Sequence, residues 1–470
     1  MIMADSPQTK FSSKIPRTVH SIGTSVLLIP LGVASSVLIA RTIGPGGKGV
    51  FDLIVATAGL LVMVLGFSLP TGVTYVVARN KGDVSSLALR LALVAVFQTV
   101  VAGVILVALI YSGRSHYFLP NQAGRWLMPA VLIYFFLEML SNYWRAILAG
   151  KQEIAKINNC ELLGRVGQFL LLFAVAGLLF LKGNHITVGV LFIIILCISA
   201  FINTMLLRAL WPSLAGTRTA VSIKEAAAFA LPCYLGNTTQ FLNYRLDVFI
   251  VSVLAGYASV GRYTLAVSLA QLVWLLSNSA ASVLLPKVAA SRDSIQSADS
   301  IESESSGSID VVKHTSRITR LTLAASFVGA CAIGLLATQA IPFLYGEVFR
   351  HSVSALLWLL PGIVAFSTVN ILAAYIAGIG KPHLNLVVAC LALVVTVVLD
   401  FTLIPRFDIV GAAIASTGSY LLSALLTIGF FIRQTGAPAR QVLIPTREDL
   451  RFTIELAQPL LRRAGLLGVS

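Results

Sequence analysis

Charge is scarce in this chain. Asp, Glu, Lys and Arg make up 11% of its 470 residues against 57% hydrophobic, and mean hydropathy is +0.89, a balance that no water-soluble domain of this size keeps in solution. The expected solvent is a lipid bilayer. No polar stretch is long enough to fold as a soluble domain, so the net charge of +15 points to a surface facing anionic lipid, and nucleic acid is excluded as a partner. Cysteine is nearly absent as chemistry: Cys160, Cys197, Cys233, Cys331 and Cys390 are widely spaced, all within or at the ends of apolar runs. They suggest neither a disulfide framework nor a metal site. No His/Glu metal spacing and no nucleophile-plus-base arrangement is present, so no metal, no cofactor and no enzymatic activity are expected. Gly-Pro-Gly-Gly-Lys-Gly at 44–49 looks like a phosphate loop, but Thr42 stands at the first Walker glycine, Gly49 replaces Ser/Thr and no strand precedes it.

What is present is long apolar runs. A hydrocarbon core of about 30 Å needs roughly 20 helical residues, and runs of that kind lie at 19–40, 50–78, 87–112, 126–149, 158–181, 186–207, 226–254, 258–285, 317–344, 354–379, 383–404 and 409–432, twelve in all. The run after Arg17 lacks a following small-residue cleavage site and reads as a retained span. With the N-terminus inside, most of the 34 Lys and Arg fall in cytoplasmic segments, so both termini are expected in the cytoplasm of a cell with this protein in its cytoplasmic membrane.

The halves repeat. Gly44-Pro-Gly-Gly-Lys-Gly49-Val-Phe51-Asp-Leu53 returns as Gly256-Tyr-Ala-Ser-Val-Gly261-Arg-Tyr263-Thr-Leu265, Gly150-Lys151 returns as Gly380-Lys381, and Gly189 as Gly411. Six spans per half give the two halves one orientation, as in transporters built from parallel repeats. The fold class expected is an all-α integral membrane protein, with twelve transmembrane helices in two parallel six-helix repeats around a central cavity. The domains are 1–220, 221–434 and a cytoplasmic tail at 435–470. Residues 290–312, rich in Ser, Asp and Glu, read as a flexible cytoplasmic loop. In the tail, Thr446 and Asp449 have capping-box spacing ahead of an amphipathic stretch to 464, which predicts a helix lying on the inner leaflet.

Intramembrane polarity is costly and marks function. On span seven Asn237, Gln240, Tyr244 and Asp247 form one stripe, with Asn243 and Arg245 on flanking faces; Gln271, Asn278 and Ser282 make a weaker stripe on span eight. Span four carries Glu138, Asn142 and Arg145 on one face, and span five carries Glu161, Arg165 and Gln168. The Glu161–Arg165 spacing suits a local ion pair as well as a site. Glu138, Arg245 and Asp247 are expected to face a hydrated cavity, and Asp400 and Arg406 to lie at the interface.

The run Arg41-Thr-Ile-Gly-Pro-Gly-Gly-Lys-Gly-Val-Phe, the Leu246-Asp247-Val-Phe-Ile core, Val260-Gly-Arg-Tyr-Thr-Leu-Ala, Leu285-Pro286-Lys287, Leu344-Tyr345-Gly346, Leu403-Ile-Pro-Arg-Phe and Gly411-Ala-Ala-Ile-Ala resemble the polysaccharide-biosynthesis flippases of the multidrug/oligosaccharidyl-lipid/polysaccharide (MOP) exporter superfamily. The likeness spans about 17–434. It implies export of a polyprenyl-diphosphate-linked glycan, such as a lipopolysaccharide or exopolysaccharide repeat unit, from the inner to the outer leaflet by alternating access, alongside a glycan polymerase and glycosyltransferases. On that reading Arg245, with Arg41 near the outer mouth, neutralises phosphate; Asp247, Asn243, Gln240 and Asn278 bond sugar hydroxyls; Glu138 takes up a coupling cation or proton. A cation-coupled multidrug antiporter shares the fold. A membrane glycan polymerase would need a large outer loop, and the outer loops here are short.

Overall fold

In hydrocarbon a backbone without sheet partners satisfies its N–H and C=O groups within a helix. The computed structural model describes residues 15–79, 84–113, 127–183, 186–213, 223–296 and 301–444 with Thr446 and Asp449, the side chains of 15–29, 213 and 290–310 excepted. Among these residues regular structure is entirely helical. The helices are α1 (Ile15–Gly66), α2 (Leu69–Arg79), α3 (Val84–Tyr111), α4 (Leu127–Gly150), α5 (Ile154–Leu181), α6 (Val188–Leu210) and α7 (Ile223–Leu254). There follow α8 (Tyr257–Ala270), α9 (Trp274–Gln296), α10 (Ile301–Tyr345), α11 (His351–Gly378), α12 (Pro382–Phe407), α13 (Ile409–Thr435) and the short α14 (Ala439–Leu443). Ten stretches among the described residues are long and apolar enough to cross a membrane by length and composition.

Three interruptions shape these helices. Gly44 kinks α1 at φ 65°, ψ −178°, a region open essentially to glycine; Pro45 then occupies a first helical position, where its missing N–H costs nothing. Gly256, the matching residue of the second half, precedes α8 at φ 82°, ψ 173°. The second interruption divides the run 50–78, which the hydropathy pattern draws as continuous. Phe67 and Ser68 have φ of 48° and 51°, and Pro70 supplies the stiff first turn of α2. A break in a membrane helix frees carbonyls that need donors. Gln98 Nε2 donates to Leu65 O at 2.7 Å while Tyr143 Oη donates to Gln98 Oε1 at 2.8 Å, and Tyr234 Oη donates to Val64 O at 3.1 Å. The third is a 3-10 turn at Gln271–Val273 between α8 and α9.

The chain divides into two compact units at Thr238/Thr239, within α7. In the first, α1 packs on α5 and α4, α4 on α6, α2 and α3, and α5 on α6. Small residues let these helices approach: a Cβ at Gly72 of α2 would lie 1.9 Å from the Ala226 carbonyl oxygen of α7. In the second, α11 packs on α13, α10, α9 and α8, and α12 on α13.

Two expectations change. The Ser/Asp/Glu-rich stretch 290–312 is largely helical, since α9 runs to Gln296 and α10 begins at Ile301; its low apolar content disfavours a core but leaves helix open. Asp400, placed near a span end by the sequence, is fully buried within the protein, on α12, which runs on through Pro405 to Phe407. The capping box forms: Thr446 N and Oγ1 both donate to Asp449 Oδ2 at 2.8 Å. Residues 451–464 of the expected surface helix lie outside the described residues.

Candidate functional site

The first unit contains a cavity of about 510 Å³ between α1, α4, α5 and α6. Its polar lining is Tyr134, Glu138 and Arg145 from α4, Glu161, Arg165 and Gln168 from α5, and Ser199 from α6. Helical spacing explains the convergence, since positions at i, i+4 and i+7 share a face, so 161, 165 and 168 line up on α5 opposite 138 and 145 on α4. Gly164 keeps the wall thin between Glu161 and Arg165; a Cβ there would lie 2.6 Å from Ile202 Cδ1. Phe51, Ile195 and Ile198 complete an apolar margin.

The charges arrange themselves across helices. Arg145 Nε lies 3.4 Å from Glu161 Oε1, so Glu161 pairs with α4 and not with Arg165 on its own helix. Glu138 is within electrostatic reach of Arg145 and Arg165. Neither Glu138 nor Arg165 has an ion pair or hydrogen bond with another described residue. Four ionisable groups therefore face one space, two of each sign.

The second unit is filled differently. Tyr244, Trp274, Phe366 and Tyr420 form a cluster with centroid separations of 5.0 to 5.9 Å, and only about 50 Å³ remains beside it, bordered by Gln240, Asn243, Asn385 and Ser423. Asn243 Nδ2 donates to Ala389 O at 2.8 Å, and its buried Oδ1 has no partner among the described residues. Asp247 is buried and bonded: Tyr263 Oη donates to Oδ2 at 2.5 Å and the Val248 amide to Oδ1 at 2.8 Å. Asp400 lies within electrostatic reach of Asp247 and has no hydrogen-bond partner among the described residues. Among the described residues of this unit, Asn243 Oδ1 and both Asp400 oxygens have acceptor capacity to spare.

The residues singled out in the sequence are thus not all in one place. Gln240 and Asn243 share the small space in the second unit; Asp247 is sealed behind Tyr263; Arg245 and Asn278 are exposed. Arg41 is exposed in the first unit, and Glu138 lines the large cavity there. Arg145, Glu161, Arg165 and Gln168 join Glu138, a convergence that the shared i, i+4, i+7 spacing of α4 and α5 foreshadowed without saying that the two faces meet. Asp400 reads as interfacial in the sequence because it stands near the end of the run 383–404, and hydropathy does not say that it is buried within electrostatic reach of Asp247. No group of three or more His, Cys, Asp or Glu placed to hold a metal ion occurs among the described residues.

Residues 17–291 match the family model described as polysaccharide biosynthesis protein. Among solved structures, the chain is similar to one described as the lipid II flippase MurJ in an inward closed conformation, at TM-score 0.67 and 14% identity, covering 94% of this chain and 93% of that one. It is also similar to an inward-facing multidrug resistance MATE family transporter of the MOP superfamily, at TM-score 0.65 and 14% identity, covering 89% and 98%. A third is a MOP superfamily transporter from Pyrococcus furiosus, at TM-score 0.59 and 15% identity, covering 89% and 93%. At such identities the likeness establishes the fold. No curated protein matches the chain.

Proposed function

The chain belongs to the polysaccharide biosynthesis protein family of the MOP superfamily, and from that membership we propose that it is a flippase moving a lipid-linked oligosaccharide from the cytoplasmic to the outer leaflet of the cell membrane. The observation that carries this reading is the cavity of about 510 Å³ lined by Glu138, Arg145, Glu161, Arg165 and Gln168. A charged side chain at mid-bilayer costs about 2.5–3.5 kcal/mol on insertion scales; Glu138 stands near the middle of α4, and four charged groups around one open space suit a polar cargo. A sugar headgroup does not cross hydrocarbon unaided; a hydrated cavity receives it while the polyprenyl tail stays in lipid.

The crossings number twelve on this reading: α1 counts as two, one on each side of Gly44, α1 beyond Gly44 continues into α2, α8 continues into α9, and α7 crosses despite its polar stripe. The like conformations of Gly44 and Gly256 support two six-helix repeats in one orientation. Arg245, exposed on α7, is the cation assigned to the diphosphate, with Arg41 as its companion. Gln240, Asn243 and Asn278 are the polar groups of spans seven and eight assigned to the glycan, with Asp247 acting on it from behind Tyr263, and Glu138 is the acid assigned to coupling. Glycosyltransferases that build the lipid-linked unit act before this step, and a polymerase acts after it.

The competing reading is a cation-coupled multidrug exporter, favoured by the likeness to MATE transporters. The two arginines of the cavity are matched by Glu138 and Glu161, so its charge alone does not favour a cationic drug over a neutral polar cargo. One strain separates the readings. Deletion of the protein is expected to stop glycan export and to accumulate a lipid-linked oligosaccharide identifiable by mass spectrometry, with drug susceptibility unchanged; normal export together with new drug sensitivity overturns the flippase reading. Arg245→Ala and Asp247→Asn are each expected to reduce export at least tenfold when they replace the wild-type protein.

A further inference from the structure

We infer that the cavity of the first unit is a subsite for an uncharged, hydroxyl-rich sugar ring, held between Arg165 with Gln168 on one side and Glu138 on the other. The inference rests on the flippase reading and specifies what its cargo presents to this space.

Charge balance comes first. Glu138 and Glu161 face Arg145 and Arg165, and the Arg145–Glu161 contact at 3.4 Å satisfies one pair internally. The remaining Glu138 and Arg165 are opposite in sign and lack any direct partner among the described residues. The space between them therefore has both signs at its edges and no net charge. A diphosphate or a uronic acid brings negative charge that this lining does not compensate, and an uncompensated ion in a low-dielectric site is strongly disfavoured. An apolar ligand fares no better, because it leaves the guanidinium N–H groups and the carboxylate oxygens without partners. A sugar hydroxyl is donor and acceptor at once. Neighbouring hydroxyls on one ring donate to Glu138 and accept from Arg165 and Gln168, so both charged groups are satisfied and the net charge stays at zero.

Shape and walls agree. The planar fork of Arg165 matches adjacent ring oxygens in a way that a lysine ammonium does not. Phe51 and Tyr134 present apolar ring surface suited to the C–H face of a pyranose. A cavity of about 510 Å³ falls in the usual range for small-molecule sites. Hydroxyl contact leaves Glu138 available to exchange a cation when no sugar is bound.

The experiment uses the full-length protein in lipid nanodiscs and saturation-transfer-difference NMR. The probes are the methyl glycosides of glucose, galactose, mannose and N-acetylglucosamine, with glucuronic acid and inorganic pyrophosphate as anionic comparisons. At least one neutral glycoside is expected to give a signal that excess pyrophosphate leaves unchanged. Arg165→Leu and Glu138→Leu are each expected to lower that signal at least fivefold. Should either variant fail to fold, Gln168→Leu, which alters no charge, is expected to lower it about threefold. Silence from all neutral probes, displacement by pyrophosphate or glucuronic acid, or equal signals from folded variants overturns the subsite. Export separates this outcome from the broader one. Full export by the Arg165→Leu protein in a deletion strain sinks the subsite and leaves the flippase standing, whereas normal export by the deletion strain itself sinks the flippase reading.

Discussion

The Arg145–Glu161 pair spans 3.4 Å with both side chains partly open to the cavity, and an ion pair reached by water contributes at most about 1 kcal/mol to stability. Its value lies in fixing a guanidinium at the edge of the space. Glu161→Gln is therefore expected to move the melting temperature by no more than about 4 °C, while export falls severalfold; a large fall in melting temperature with export intact would reverse the assignment. Asp449 is the opposite case. Arg320 donates to both its oxygens, Nε to Oδ2 at 2.6 Å and Nη2 to Oδ1 at 2.9 Å, with Arg317 at 3.4 Å and the Thr446 cap beside them; Arg320 also bonds the Gln441 carbonyl. The Arg320 hydrogen bonds, helped by Thr446, hold the Asp449 carboxyl well below the usual carboxylate range. A depressed folded value means that the stabilisation is fully present above the unfolded value, about pH 4, and is lost as pH falls through the folded one. Proteolytic release of the tail is expected to be slow and constant from pH 8 to 5 and to accelerate only below about pH 4. Arg320→Leu leaves a buried carboxylate short of its main partner, a loss of roughly 3–5 kcal/mol, and should make release fast at every pH. Capping-box spacing announced the local turn; the clamp from α10 joins residues 129 positions apart, a separation that carries no sequence signal.

Helices in this protein are placed as much by what they lack as by what they bury. Gly72 lets α2 approach the N-terminal part of α7 so closely that a methyl group would overlap the Ala226 carbonyl, while Tyr75 and Phe229 stack at 4.0 Å one turn along. Gly72→Ala must push the two helices apart and undo that stacking. The expected loss is about 1–3 kcal/mol, read as a lower melting temperature, and the change should leave Gly46→Ala, where a Cβ meets nothing within 4 Å, as a neutral control. Element existence was legible because apolar runs of spanning length have one backbone solution in lipid. The interruptions were legible in part. Gly44 and Gly256 announce themselves through the repeated motif, and their like φ and ψ follow from the absence of a Cβ. The break at Phe67 and Ser68 was not foreseen, since Gly66 and Pro70 are also common in unbroken membrane helices; what fixes it is the set of donors, Gln98 and Tyr234, arriving from α3 and α7. Convergence of the polar faces of α4 and α5 was hidden for a related reason. Periodicity says which residues share a face, and only packing says which face meets which.

At the scale of the molecule, the two halves constrain the number of crossings differently. If α1 were a single crossing and α7 none, the ten apolar stretches would still return the C-terminus to the starting side, and every loop after α7 would keep its side. Only the loops between α2 and α7 would invert. Charge discriminates there: twelve crossings put Arg79, Lys81, Lys151, Lys156, Arg208, Arg218 and Lys224 on the cytoplasmic side, against Arg114, Arg125 and Lys182 outside, whereas ten crossings reverse that bias and violate the positive-inside rule. The polar stripe of α7 is then no argument against a crossing, since polar groups are retained within membrane spans where they face the protein interior. Reporter fusions decide the matter with two sites. Alkaline phosphatase joined within 114–126 is expected to be active, and joined within 80–83 inactive, with a cytoplasmic fluorescent reporter giving the converse; the reverse pattern would reduce the crossings to ten and remove the parallel six-helix repeat. Fusions near 297–300 and 346 give the same answer under both schemes, so they serve as controls for insertion and not as tests.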